Sequence, residues 1–152
     1  MFNLEKFDIK LETDFIGRNF IYADEIGSTN SELLAGKQQY KKSGTVYIAE
    51  KQLEGKGRKN RIWNSAKGLN LTFSILLTKD TISDINLSHL NLAASLAVST
   101  AIENLYQLKT ELKWPNDVLI EKKKVAGILI ETSYKGKSID RLCLFDVSGD
   151  GC

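Results

Sequence analysis

Glycines and cations alternate between Gly55 and Trp63, in the segment Gly-Lys-Gly-Arg-Lys-Asn-Arg-Ile-Trp. Gly55 and Gly57 lack a Cβ, so their main-chain N–H groups can approach a ligand closely. Arg58 and Arg61 offer planar guanidinium groups that bind carboxylate or phosphate oxygens with paired hydrogen bonds. The spacing is not that of the Walker P-loop. The segment therefore predicts an anion-binding loop, and a loop that binds nucleic acid is an alternative.

Two further segments place polar side chains beside apolar runs. In the segment 113–117, Lys-Trp-Pro-Asn-Asp, a lysine and an Asn-Asp pair flank a proline that favours a turn, and the pair could hold a metal ion or a polar ligand group. Lys124 opens an apolar run that Gly127 interrupts, and glycine inside a strand often marks close approach of a ligand. Structural interpretations stay open, with Trp114 in the core and Gly127 as a small residue beneath a helix.

The triplet Ser28-Thr29-Asn30 lies at the start of a predicted helix. Thr29 is predicted to be the N-cap, with Glu32 three residues later completing a capping box. A helix N-terminus presents unpaired N–H groups, and the neighbouring hydroxyls suit a polar ligand such as a ureido or carboxylate group. Simple capping is the alternative, and the two interpretations are compatible.

The charge of the chain is concentrated in one stretch. The 152 residues are 42% hydrophobic and 26% charged, with a net charge of +2, which is typical of one globular domain. Residues 51–67 hold six basic residues and one acidic residue, a net +5, so the rest carries −3. A local anion site is expected rather than a general nucleic-acid surface.

The chain gives no sign of secretion or membrane insertion. Cys143 and Cys152 form neither a C-x-x-C pair nor a disulfide framework, which favours a reducing, cytoplasmic setting. No segment resembles a signal peptide, and none reaches the roughly 18 apolar residues of a membrane span. The single histidine, His89, has no partner in the sequence and is expected to be structural or on the surface.

Apolar periodicity predicts strands and helices without strict alternation. A helix over residues 85–108 follows from helical spacing of Leu90, Ala94, Ala97, Ala101 and Leu105. The remaining predicted elements are a helix over residues 30–40 and strands over residues 20–26, 45–49, 70–78, 111–114, 118–121, 125–132 and 139–145. Short turns between adjacent strands predict an α+β fold with a mixed, largely antiparallel sheet and packed helices.

The four motifs, in this order and spacing over residues 20–132, resemble the biotin–protein ligase family. The resemblance implies a core like that of the class II aminoacyl-tRNA synthetases. It also implies a reaction in which biotin and ATP form biotinyl-5′-AMP, which then acylates a lysine of a biotin carboxyl carrier protein. A lipoate or octanoate ligase or transferase shares this general fold and is the enzymatic alternative. A homodimer is a further expectation for the enzyme.

Residue roles are carried over from the same motifs. The resemblance implies biotin contacts for Ser28, Thr29, Asn30, Gln52, Lys56, Gly57, Arg58, Lys124 and Gly127. It implies ATP or adenylate contacts for Arg58, Lys59, Arg61, Trp63, Asn70 and Asn116. Arg58 and Lys124 hold the catalytic positions, and Asp117 that of a Mg²⁺ ligand. A loop with Ile62 and Trp63 as its only apolar anchors is expected to become ordered when ligand binds.

Two positions in the loop and the end of the chain depart from the family pattern. Lys56 replaces the commoner arginine and keeps the charge without the bidentate fork, and Asn60 replaces a glycine. The family continues with a G-x-G-x-N pattern and a small β-barrel domain, whereas Gly149-x-Gly151 here lacks the asparagine. The expectation is a single catalytic domain, residues 1–152, without the family's C-terminal part and without an N-terminal DNA-binding domain.

Overall fold

A computed structural model of the chain describes residues 11–36, 40–63, 66–82 and 86–146. Within these ranges, the strands are β1 (Phe20–Ala23), β2 (Val46–Ala49), β3 (Thr72–Thr78), β4 (Glu111–Lys113), β5 (Asp117–Ile120), β6 (Lys123–Lys135) and β7 (Ser138–Asp146). The α-helices there are α1 (Thr29–Leu34), α2 (Lys79–Ile82) and α3 (Leu87–Tyr106). Gly149, Gly151 and Cys152 lie outside the described residues, as does the N-terminal stretch 1–10.

The strands form one sheet in the order β1-β2-β3-β7-β6-β5-β4. β1 and β2 pair in parallel, and every other neighbouring pair is antiparallel. The predicted α+β class with a mixed, largely antiparallel sheet is confirmed. Because β3 pairs with β7, the end of the described chain is inserted between the first and second halves of the sheet.

The helices cover opposite faces of the sheet. Along β3, Leu76 belongs to the cluster that packs around Leu33 of α1, whereas Leu77 belongs to the cluster that packs around Ala94 of α3. Adjacent β7 residues divide in the same way, with Cys143 toward α1 and Leu142 toward α3. This alternation follows from the two-residue period of a strand. The two faces therefore have separate cores.

The helix boundaries differ from the sequence prediction at their caps. Ser28, not Thr29, is the N-cap of α1, and its hydroxyl accepts a hydrogen bond from the Ser31 N–H. The predicted extension to residue 40 is wrong: α1 ends at Leu34, and Gly36 follows with φ +74°, a left-handed conformation that terminates helices. Residues 37–39 lie outside the described residues.

The long helix agrees with its prediction to within two residues at each described end. The Asn86 side chain caps α3 by accepting from the Ser88 and His89 N–H groups. The helix ends where Gln107 takes a left-handed conformation. His89 is exposed in the first turn, as expected for a surface residue. Among the described residues, no helix combines the length and apolar character needed to cross a membrane.

Candidate active site

A cavity of about 480 Å³ opens between the glycine- and cation-rich loop and the ends of β5 and β6. Its walls are formed by Lys56, Gly57, Arg58, Lys59, Arg61, Ile62, Trp63, Pro115, Asn116, Asp117, Lys124, Gly127, Ile128 and Leu129. The fold thus joins three of the four sequence motifs around one space. Five of the lining side chains are cations and one is a carboxylate, so the cavity favours an anionic ligand.

The loop is folded as a narrow hairpin. The Trp63 N–H donates to the Gly55 carbonyl at 2.9 Å, and the Gly57 N–H donates to the Arg61 carbonyl at 2.8 Å. A Cβ at position 55 would collide with the Trp63 carbonyl oxygen, so only glycine fits there. Lys59 at the tip has a left-handed conformation, with φ 57°. The hairpin holds its cations along one side of the cavity.

Asn116 joins the loop to the sheet. Its Oδ1 accepts a hydrogen bond from Arg58 Nη1 at 3.3 Å, and its Nδ2 donates to the Ile128 carbonyl at 2.9 Å. The Ile128 N–H in turn donates to the Asn116 carbonyl at 2.9 Å. These contacts fix the amide orientation of Asn116, and they set Arg58 at the junction of the loop and β6.

Lys124 lines the same cavity and contacts two other lining residues. Its Nζ is 2.7 Å from Asp117 Oδ1 and 4.6 Å from the centroid of the Trp63 ring, within range of a cation–π interaction. Gly127 lies directly beneath: a Cβ there would be 2.9 Å from Lys124 Nζ and 3.0 Å from the Trp63 ring. A larger residue at position 127 would therefore require Lys124 or the Trp63 ring to move.

The fourth motif lies beside the cavity in a buried polar network. The backbone N–H of Thr29 donates to Gln52 Oε1 at 2.8 Å, and the Thr29 hydroxyl lies 3.0 Å from the same oxygen. Ser74 Oγ is 2.7 Å from Thr29 Oγ1 and 2.6 Å from Asn30 Oδ1. Asn30 Nδ2 donates to Glu131 Oε2 at 2.9 Å. None of these five residues lines the cavity.

Lys56 bridges the two regions, because it lines the cavity and its Nζ lies 3.4 Å from Ser31 Oγ in α1. Ser28 is buried and caps α1. Asn70 lies apart from the cavity, where its Nδ2 donates to the Ala66 carbonyl at 3.4 Å. The structure therefore gathers every predicted site residue except Asn70 at or beside the cavity.

Sequence reasoning missed Ser74 and Glu131. A serine in the apolar run of β3 and a glutamate in the apolar run of β6 were available signals, because buried polar groups need partners. The interpretation of Trp114 as a core residue is wrong, since its side chain is 83% exposed. Its indole borders a second cavity of about 360 Å³, which shares Arg58, Pro115, Ile128 and Leu129 with the first.

The donor set does not include a metal cage. Over the described ranges, no group of three or more His, Cys, Asp or Glu side chains is placed to share a metal ion. The Asp117 carboxylate is paired with Lys124, and the Asn116 oxygen accepts from Arg58. This arrangement fits a Mg²⁺ ion held mainly by substrate phosphates with one protein carboxylate, as is common for Mg²⁺.

Known proteins resemble this chain in sequence. The bifunctional ligase/repressor BirA of Bacillus subtilis is 37% identical over 121 residues, which cover 80% of this chain and 37% of that protein. The biotin–[acetyl-CoA-carboxylase] ligase of Mycobacterium tuberculosis is 37% identical over 113 residues, covering 72% of this chain and 42% of that protein. The chain spans less than half the length of these two relatives.

Solved structures share the fold. The biotin protein ligase from Aquifex aeolicus in complex with biotin and ATP matches with a TM-score of 0.72 and 37% identity, over 84% of this chain and 50% of that one. The biotin acetyl coenzyme A carboxylase synthetase from Helicobacter pylori, with bound biotinylated ATP, matches with a TM-score of 0.70 and 29% identity, over 85% and 60%. The expected biotin ligase core fold is confirmed.

The model of the biotin/lipoate A/B protein ligase family matches residues 22–148, which contain all four motifs and the whole lining of the cavity. The match disfavours the alternative of a nucleic-acid-binding module. From its motifs, its fold and this match, the chain belongs to the biotin/lipoate A/B protein ligase family.

Proposed function

We propose that this chain is the biotin- and nucleotide-binding part of a biotin–protein ligase that uses ATP. The observation that carries the proposal is the cavity in which loop cations face Lys124, Asp117 and Gly127. One similar relative is named a bifunctional ligase/repressor, another a biotin–[acetyl-CoA-carboxylase] ligase, and a similar solved structure contains biotin and ATP. By this proposal, the chain shares the ligase activity and the substrates that those names give.

The proposed chemistry needs cations more than it needs a nucleophilic side chain. A biotin carboxylate oxygen attacks the α-phosphorus of ATP, pyrophosphate leaves, and biotinyl-5′-AMP results. The amine of a carrier lysine then attacks the acyl carbon, AMP leaves, and an amide forms with loss of a proton. Because the first step brings two anions together, preorganised cations in a site that excludes water supply most of the catalysis.

Each proposed role agrees with a position around the cavity. Lys124 and Arg58 both line the cavity, where their charges can neutralise a carboxylate and an α-phosphate. Lys59, Arg61 and Trp63 belong to the loop and line the cavity, and we assign them to the adenylate part of the ligand. Asn116 is assigned to the same ligand, and Asn70 to its adenosine end at a greater distance from the cavity.

Biotin is assigned to the side of the cavity next to α1. Lys56, Gly57 and Gly127 line the cavity, and Lys56 Nζ lies 3.4 Å from Ser31 Oγ in α1. Ser28, Thr29, Asn30 and Gln52 lie behind it, and their buried hydrogen bonds give a rigid polar wall. A rigid wall suits recognition of a ureido group, because its donors and acceptors are oriented before the ligand arrives.

Asp117 would supply the protein ligand to a Mg²⁺ ion that accompanies ATP. When bound, Mg²⁺ neutralises phosphate charge in transfers of this kind. Release of Asp117 from Lys124 would leave the ammonium group available to the reacting carboxylate and phosphate. The proposed closing of the loop over ligand would then complete the site, with Ile62, 84% exposed, available to become covered.

A cytoplasmic location and a homodimer complete the proposal. The buried free thiol of Cys143 and the need for ATP support a reducing compartment. Sedimentation velocity across a concentration range tests the homodimer, and a constant monomer mass would contradict it.

The deciding experiment incubates the purified protein with radiolabelled biotin and MgATP, and separates biotinyl-5′-AMP by thin-layer chromatography. An apo carrier domain is then added, and its labelling is followed by mass spectrometry. A carrier whose acceptor lysine is replaced by arginine is the matched control. Parallel reactions with lipoate test the enzymatic alternative. Labelling with lipoate alone, or no biotin binding at millimolar concentration, would contradict the proposal.

A further inference from the structure

The helix α3 exposes apolar side chains on the side that faces away from the sheet. Its inner side, on which Ala94, Ser95 and Ser99 are buried, packs against β4, β5 and β6. Leu92 is 50% exposed and Leu96 is 55% exposed, although the solvent side of a surface helix usually bears charged and polar residues. Within the described ranges of the chain, this outer side of α3 is therefore an uncovered apolar surface.

The outer side of α3 carries no charge over almost four turns. No charged residue lies between His89 and Glu103. The exposed residues of this stretch are Leu92, Ala93, Leu96, Ala97, Thr100 and Ala101. A helix that is apolar on every side is normally buried within protein, and the small side chains in this set leave room for a second helix to approach closely.

The apolar surface continues past the end of α3. Leu105 is 75% exposed, Tyr106 68% and Leu108 46%. Together with Leu92 and Leu96, these side chains expose roughly 500 Å², at the upper end of what a monomer leaves uncovered. Two copies of this surface would bury roughly 1,000 Å² from these residues alone, which is about the lower limit for a specific interface between proteins. The alanines of the same face add to that area.

The two ends of the uncharged stretch complement each other. His89, Leu96 and Glu103 are spaced seven residues apart, so they lie on one side of α3. His89 and Glu103 are thus each about 10 Å along the helix axis from Leu96, in opposite directions. The Thr110 N–H donates to Glu103 Oε1 at 2.9 Å, which orients the carboxylate at its end of the stretch.

We propose that a second copy of this chain covers this surface, with the two α3 helices packed antiparallel about a two-fold axis at Leu96. In this register, His89 of each copy lies beside Glu103 of the other, and two-fold symmetry forms both contacts at once. A parallel pair would instead bring the two Glu103 carboxylates together. The inference assigns a surface to the homodimer of the proposed function, and it rests on that part of the proposal.

The surface is tested by sedimentation velocity of the full chain over about 1 to 100 µM, where we expect a monomer–dimer equilibrium. Leu96→Glu places two carboxylates at the axis and should raise the dimer dissociation constant at least about 100-fold. Leu53→Glu, at a side chain that is 58% exposed outside α3, is the matched control and should leave this constant unchanged. A Leu96→Glu protein that dimerises like wild type would overturn the assigned surface and leave the homodimer standing. A wild-type protein that stays monomeric would contradict both.

The register is tested by exchanging charges. His89→Glu brings like charges together opposite Glu103 and should weaken the dimer about tenfold or more. Addition of Glu103→Lys should restore dimerisation, because opposite charges then meet in the antiparallel pair. A double variant weaker than His89→Glu alone would overturn this register, and circular dichroism melts show that each variant is folded.

Formation of biotinyl-5′-AMP by the same proteins separates this inference from the ligase activity. Neither Leu96 nor His89 lines the first or the second cavity, so we expect the rates of adenylate formation to stay within about twofold of wild type. Loss of this activity in Leu96→Glu, with an unchanged melt, would overturn the assignment of the surface to dimerisation alone. If the wild-type protein forms no adenylate, the proposed activity fails, and sedimentation still decides the surface.

Discussion

At the scale of single residues, the site depends on close packing between charged and aromatic groups. Lys124 contacts Asp117 and the face of Trp63, and Gly127 leaves the space in which they meet. Arg58 is held by Asn116, whose own amide is fixed by the backbone of β6. The two residues assigned to the reaction are thus held by Asp117 at the start of β5, by Asn116 just before it and by Trp63 of the loop.

Lys124→Met removes the ammonium group and keeps most of the aliphatic stem. We expect adenylate formation to fall by about 100-fold or more, because a preorganised charge near the reacting oxygens is lost. The free energy of unfolding should change by about 1 kcal/mol or less, since a partly exposed ion pair contributes little. Single-turnover kinetics and urea unfolding measure the two effects. Lys67→Met, outside the cavity lining, is the control, and equal inactivation of both variants would contradict the assignment.

Gly127→Ala introduces a methyl group 2.9 Å from Lys124 Nζ and 3.0 Å from the Trp63 ring. The flexible end of Lys124 can move aside, so we expect the protein to fold while losing most of its biotin affinity. Isothermal titration with biotin and a thermal melt check both statements. Gly27→Ala is the matched control, because its Cβ would meet only Glu54, at 3.8 Å. Wild-type affinity in Gly127→Ala would show that the close packing is dispensable.

At the scale of elements, the caps decide where the helices begin and end. α1 begins at a serine cap and places Thr29 and Asn30 in its first turn, where both contact Ser74 of β3. α3 begins at the Asn86 cap and covers the opposite face of the sheet. Since α3 packs against β6, its stability supports the strand that carries Lys124 and Gly127.

Asn86→Ala should destabilise the protein by about 1 kcal/mol, because the Ser88 and His89 N–H groups lose their acceptor. Asn86→Gly should cost only a few tenths of a kcal/mol, since glycine is tolerated at an N-cap. Urea unfolding of the three proteins measures the difference, with biotin affinity unchanged in all of them. If the alanine variant and the wild type had equal free energies of unfolding, the Asn86 cap would not stabilise the protein.

At the scale of the whole molecule, the net charge is small but the charged residues are distributed very unevenly. The chain carries +2 overall, while five cations and one carboxylate line the cavity. The sheet separates two cores, so the site on one face is supported by apolar packing on the other. The residues that attract an anionic ligand are therefore largely different from the residues that stabilise the fold.

ATP binding should weaken at least about threefold as ionic strength rises from about 0.05 to 0.5 M, because salt screens exposed cations. Arg61→Ala should flatten this dependence, and Lys67→Ala should leave it unchanged. Titration calorimetry at three salt concentrations provides the slopes. An affinity that is independent of salt would mean that the cations do not contact the nucleotide phosphates.

Cys143 should react with thiol reagents only when the protein unfolds. Burial, and then the Glu131 carboxylate, raise the pKa of its thiol well above the usual value, and the reactive form is the thiolate. In a Cys152→Ser background, we expect the reaction at pH 8 to be at least about 100-fold slower in buffer than in urea. Rapid reaction of the protein with an intact circular dichroism spectrum would contradict the burial.

The chemistry of the site could be predicted from residue types alone. Backbone freedom at Gly55, the charge of Arg58 and Lys124, and the capping role of the Ser28 region are local properties, so they can be inferred along the chain. The α+β class followed in the same way from apolar periodicity and short turns. The exact helix ends did not, because left-handed residues such as Gln107 depend on surrounding structure.

Only the tertiary structure decided which residues meet. Arg58 and Asn116 are 58 residues apart, and Asn30 and Glu131 are 101 apart. The insertion of β7 between β3 and β6 sets the spacing of the strands that carry Ser74 and Glu131. Sequence alone determined an anion-binding loop and the motifs of a ligase family. Strand order and register, which arise from long-range packing, determined that the loop faces Lys124 and that Glu131 reaches the network behind it.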